Sequence, residues 1–139
     1  MRIVLDTSVL VAALRSPSGA SAELLRMARH RKFEVLISVG MILEYEAVLN
    51  RAEHLSVAGL LMSDVDDLLD AFCIFAKPIT NHFRWRPVLT DPDDDLVLET
   101  AVNGRANVIV TFNVFDFQRA KILFGIDVQR PGEALRRLT

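Results

Sequence analysis

Cysteine is almost absent from this chain of 139 residues, and the single thiol, Cys73, excludes an internal disulfide. Cys73 sits in an apolar run, where core packing is its expected role. Histidine is scarce as well. His30, His54 and His82 are scattered, and no His/Cys group has the spacing of a zinc site. Neither sign of charge is in large excess. The net charge of −2 gives no bulk attraction to nucleic acid, so a polyanion site must be a local patch or work through metal. No stretch is long or apolar enough to span a membrane, and the N-terminus lacks a signal-peptide layout, so a cytoplasmic location is expected. Internal repeats, low-complexity tracts and linkers are missing too. The length fits one domain over residues 1–139.

Apolar residues make up 51% of the chain and charged residues 24%, the composition of a globular protein. Ile3-Val4-Leu5, Val35-Leu36-Ile37 and Val108-Ile109-Val110 read as buried strands. Lys77-Pro78-Ile79-Thr80 reads as a short strand that proline keeps near an edge, and Ile126-Asp127-Val128 as a final one. Helical stretches fall between them. Thr7 or Ser8, Ser21 and Ser38 are the expected N-caps of the first three helices. Met41, Ile42, Tyr45, Val48 and Leu49 form an amphipathic stripe on the third. Arg51 to Gly59 reads as a polar connection. A helix from Ser63 buries Leu68, Leu69, Phe72 and Cys73, and Asp91-Pro92 opens another. The last two helices are expected from Phe117 to Gly125 and from Pro131 to Thr139. Strands alternating with helices imply an α/β fold, a parallel sheet with helices on both faces.

Strand ends of a parallel sheet converge on one edge. The acids expected there are Asp6, Glu44, Asp94 and Asp116, with Thr111 and Asn113 nearby. From the first fourteen residues alone, Asp6 could equally be a loop residue capping the next helix. Several carboxylates in one pocket need compensating charge, which hard divalent cations supply. Without a His/Cys cluster, Mg²⁺ or Mn²⁺ is favoured over zinc. An ion held this way can activate water and stabilise the leaving oxygen of a phosphodiester.

The residues Ile3-Val4-Leu5-Asp6-Thr7-Ser8, Ile37-Ser38 followed by Glu44, Asp91-Pro92-Asp93-Asp94-Asp95, and Val110-Thr111-Phe112-Asn113 with Asp116-Phe117 together resemble the PIN domain. The resemblance covers nearly the whole chain and is nearest to the VapC-like toxin components of toxin–antitoxin pairs. It implies a three-layer α/β/α sandwich around a parallel sheet of four or five strands. It also implies a Mg²⁺- or Mn²⁺-dependent ribonuclease acting on RNA, with a cognate antitoxin and a homodimeric assembly. By that resemblance Asp6, Glu44 and Asp94 match three acidic positions of the family. Asn113 stands where many members have Asp. The fourth acid is therefore carried to Asp116, with Asn113 as a neutral ligand, and Asp91 and Asp95 are substitutes for Asp94. The rival from another class is a PIN-like module that binds RNA or protein without cutting. A haloacid-dehalogenase-type phosphotransferase needs an acid where Ser8 stands, and a receiver domain needs paired acids after its first strand, so neither fits. RNA contact is expected from a local patch. The loop with Arg84, Trp85 and Arg86 is preferred to the helix face with Arg26, Arg29 and Lys32.

Overall fold

A computed structural model describes residues 1–81 and 92–139, apart from the side chains of Pro92 and Asp93. The loop with Arg84, Trp85 and Arg86, and also Asp91, lie outside the described residues. Strand β1 is Arg2–Leu5, β2 is Glu34–Ile37, β3 is Lys77–Pro78, β4 is Val108–Val110 and β5 is Asp127–Gln129. They form one parallel sheet of five strands in the order β3-β2-β1-β4-β5. The helices are α1 Thr7–Arg15, α2 Ala20–Arg29, α3 Val39–Leu49, α4 Ala52–Ala58, α5 Met62–Phe75, α6 Pro92–Asn103, α7 Gln118–Phe124 and α8 Pro131–Leu138. A short 3₁₀ turn, Val114–Phe117, precedes α7. Helices flank the sheet, giving the three-layer α/β/α sandwich that the sequence implies.

β1 is central because both of its faces are apolar. Ile3, Val4 and Leu5 are all buried, as are Val108, Ile109 and Val110 beside them. Val4 pairs with Ile109 and Leu5 with Val110, so the two strands end level. At the edge, proline in β3 has no N–H to donate, which suits a strand with a neighbour on one side. Glu34 at the start of β2 ties three strands together. Lys77 of β3 and Arg2 of β1 each reach it at 3.3 Å, and Lys77 first, then Arg2, hold its carboxyl below the usual carboxylate range.

Tyr45 anchors the third helix. It is fully buried, and its hydroxyl donates to the carbonyl of Leu5, the last residue of β1. Phe72 of α5 meets the Tyr45 ring edge-on, centroids 5.7 Å apart at 89°. Ser38 caps α3 as expected, its Oγ accepting from Met41 N at 3.4 Å.

Four local expectations need correction. Cys73 is exposed, because α5 buries Val65, Leu69 and Phe72 and the next residue is turned about 100° away. Residues Ala52–Ala58 form a helix rather than a connection; none of them is buried, so no apolar stripe marked it. Gly19, not Ser21, is the N-cap residue of α2, and Ser21 lies buried within the first turn. Asp6, not Thr7 or Ser8, occupies the N-cap position of α1.

Candidate active site

From β1 the chain moves to one side of the sheet, and from β4 it moves to the other. Such a reversal opens a crevice beyond the carboxyl ends of the two neighbouring strands. Asp6 follows β1 directly and Thr111 follows β4. A cavity of about 490 Å³ lies there, lined by Asp6, Thr7, Ser8, Glu44, Asp94 and Asn113, with Val11, Val48, Arg51, His54 and Phe112.

Asp6 is only 6% exposed. It holds the N-cap position of α1, yet its side chain makes no capping bond. Its Oδ2 instead accepts from Thr111 Oγ1 at 2.7 Å and from Ser8 Oγ at 2.8 Å. Each hydroxyl is itself polarised from behind. Asn113 N donates to Thr111 Oγ1 at 2.9 Å, and Phe112 N donates to Ser8 Oγ at 3.3 Å. Two donor relays thus run from the loop after β4 to one carboxylate oxygen, and chained bonds of this kind strengthen one another. Among the described residues no donor reaches Oδ1. The relays fix the carboxylate while leaving one oxygen for other work, which argues against a plain capping role.

Glu44 arrives from α3. Its neighbour Tyr45 points inward to Leu5, and this sets Glu44, half-buried, on the cavity wall. Burial and the nearby Asp6 carboxylate push the Tyr45 hydroxyl well above the ordinary phenol range, so it stays a donor. Asp94 arrives from the first turn of α6 and is also half-buried. Asp95 and Glu99, each 2% exposed, share the inner face of α6 one turn apart but do not line this cavity. Asp94 is therefore the acid that α6 presents to it. Asn113 lines the cavity and is exposed. Asp116 does not line it; it is exposed on the 3₁₀ turn that follows.

At the level of donor chemistry the site suits a hard cation, since carboxylate, hydroxyl and amide oxygens dominate it. Among the described residues, however, no three carboxylate, imidazole or thiolate groups are gathered closely enough to hold a metal ion. A larger groove of about 590 Å³ runs between α2 and α5, but it has Leu68, Ile74 and arginines and no carboxylate in its lining.

The chain matches the PIN domain over residues 2–114. It belongs to the PIN domain family. A solved structure described as VapBC2 from Rickettsia felis bound to a DNA fragment from their promoter has a similar fold, with a TM-score of 0.63 and 15% identity. The match covers 94% of this chain and 98% of that one. No curated protein sequence matches. In this PIN domain, Asp6, Glu44, Asp94 and Asn113 come together as the sequence suggests, from four separate places in the chain. Sequence reasoning missed Arg51 and His54, which give the acidic cavity cationic and imidazole groups. Arg15 Nε donates to His54 Nδ1 at 3.1 Å, which orients the ring. The signal for both was hidden in a segment with no apolar period. The sequence offers Thr7 or Ser8 as a cap, whereas Ser8, two residues after a strand-end acid, bonds that acid instead.

Proposed function

We propose that this PIN domain, a single domain over residues 1–139, is a divalent-metal-dependent endoribonuclease. We further propose that it is the toxin of a toxin–antitoxin pair, cytoplasmic and homodimeric. The observation that carries the nuclease reading is the convergence of Asp6, Glu44 and Asp94 on one cavity at the strand-order reversal. The family's nucleases generally use divalent metals, and these donors suit Mg²⁺ or Mn²⁺. Asp6, Glu44 and Asp94 would draw closer together to hold the ion, with Asn113 as a neutral oxygen donor; Asp116, the fourth acid by the family resemblance, stands outside the cavity lining. When bound, the ion supplies Lewis acidity toward phosphate and a water of lowered pKa. Asp6 is the residue whose orientation is fixed in advance, through Ser8 and Thr111. Arg51 offers a cation to a phosphate oxygen beside the acids. Arg84, Trp85 and Arg86 are proposed on sequence grounds to hold RNA. Replacing both arginines by Ala should weaken RNA binding and flatten its salt dependence. The VapBC2 neighbour supports an antitoxin partner.

A second reading, a PIN-like module that binds without cutting, is favoured by the neutral Asn113 and by Asp116 standing outside the cavity lining. Incubation of a mixed RNA pool with Mg²⁺ or Mn²⁺ separates the two. The nuclease reading expects cleavage that chelator abolishes and that Asp6→Asn removes. Intact RNA that is nevertheless bound would select the second reading.

A further inference from the structure

A second cavity, of about 460 Å³, opens where the N-termini of α2 and α8 meet, and it shares Phe112 with the acidic one. The first-turn amides of a helix have no partner within it, and the dipole makes that end positive. Here two such ends line one space, through Gly19 and Ala20 of one and Pro131 and Gly132 of the other. Arg130 and Arg136 also line it, and neither has an acidic partner among the described residues. Arg136 folds back over the first turn of α8: its Nη1 is 3.6 Å from where a side chain on Gly132 would begin. The independent mark of a ligand is Ser21. It lines the cavity, is 4% exposed, and its Oγ has no hydrogen-bond partner among the described residues. A buried hydroxyl left unpaired is unfavourable unless something else bonds it. One carboxylate, Glu133, opposes the two arginines and the two helix ends.

We infer that this cavity is a phosphate subsite that holds a backbone phosphate of the same nucleic-acid strand engaged by the acidic cavity. The strand's identity rests on the nuclease reading; the phosphate chemistry does not. The acidic cavity sets three carboxylates against Arg51, so in the absence of a metal ion it holds phosphate poorly and affinity for the strand draws on sites beside it. Phe112, 39% exposed and common to both cavities, offers a face on which a base can stack between the two sites.

The test uses the full chain carrying Asp6→Asn, so that RNA is bound and not consumed. Amide NMR spectra are recorded with inorganic phosphate and, separately, with a short single-stranded RNA. Both should shift the amides of Ala20, Ser21, Gly132 and Glu133. Adding Arg130→Gln with Arg136→Gln should weaken RNA binding about tenfold and reduce the salt slope by about 1.4, two phosphate contacts' worth. Ser21→Ala should leave the melting temperature unchanged or raised yet diminish the phosphate-induced shifts, and Glu133→Gln should enlarge them. No shift with either probe overturns the inference. Phosphate shifts combined with RNA binding indifferent to the double arginine variant also overturn it, since the cavity would then serve a free anion. If the parent cuts no RNA while RNA still moves these amides, the nuclease reading fails and the subsite stands.

Discussion

Asp6 shows how one carboxylate can be tested without disturbing the fold. Both of its hydrogen bonds land on Oδ2, and an amide oxygen in the same place can accept both. Asp6→Asn should therefore fold with a metal-free melting temperature equal to or above the parent's, because repulsion with Glu44 and Asp94 is relieved. Asp6→Ala strands the hydroxyls of Ser8 and Thr111 and should cost about 1–3 kcal/mol, as read by thermal unfolding. Equal losses for the two variants would mean that the charge itself holds the fold. Thr111→Val keeps the shape but breaks one relay at both ends, taking the donor from Asp6 and the acceptor from Asn113 N. A loss of similar size is expected. The strand-end acid was visible in the sequence because apolar runs bracket it. The relays were not, because they join an amide to a hydroxyl 104 residues away and a hydroxyl to a carboxylate 105 residues away.

Tyr45 locks α3 to the end of β1, and its proton carries a pH signature. The raised folded pKa means that the native state keeps a proton which the unfolded chain gives up near pH 10. Stability from this group is thus fully present below about pH 10 and lost as pH rises toward the folded value. Denaturant titrations at increasing alkaline pH should show that decline in the parent and a flatter line in Tyr45→Phe. Below that range the Phe variant should be about 1 kcal/mol less stable for the lost bond to Leu5. The chain has a single tyrosine, so tyrosinate absorbance reports this residue alone. At the other end of α6, Gly104 packs against β2. An added Cβ would lie 2.6 Å from Leu36 Cδ1 and 3.0 Å from the Thr100 carbonyl, so Gly104→Ala should lower stability by about 1–3 kcal/mol. Elements with an apolar period or a two-sided apolar run, such as β1, β4 and α3, were legible in the sequence. α4 was not, since it buries no residue of its own. The acids of α6 were legible as a group only. Which of Asp94 and Asp95 lines the cavity depends on the rotation of that helix, fixed by packing of Val97, Leu98 and Ala101.

For the molecule as a whole, the proposed metal binding predicts a stability that depends on cations. An ion that binds only the folded chain raises its stability by about 2.7 kcal/mol at a hundredfold excess over Kd. Mn²⁺ or Mg²⁺ should therefore raise the melting temperature of the parent and leave Asp6→Asn nearly unmoved; equal shifts in both would place the ion elsewhere. Sedimentation at micromolar concentration checks the proposed homodimer, and a monomer throughout would remove it. Among the described residues no helix is long and apolar enough to cross a membrane.

The hydrogen bond between Thr111 and Asp6 joins positions 105 residues apart. During synthesis from the N-terminus, Asp6, Glu44 and Asp94 all leave the ribosome before Thr111, the second of the two hydroxyls that hold Asp6 in place. β4, which must pair with β1 to bring Thr111 within reach, emerges just ahead of it. A partly made chain therefore carries the acids and Ser8 but not the Thr111 half of the clamp. The order of translation itself delays completion of the site until Thr111 has been added, and a ribosome that stalls earlier releases a fragment without it.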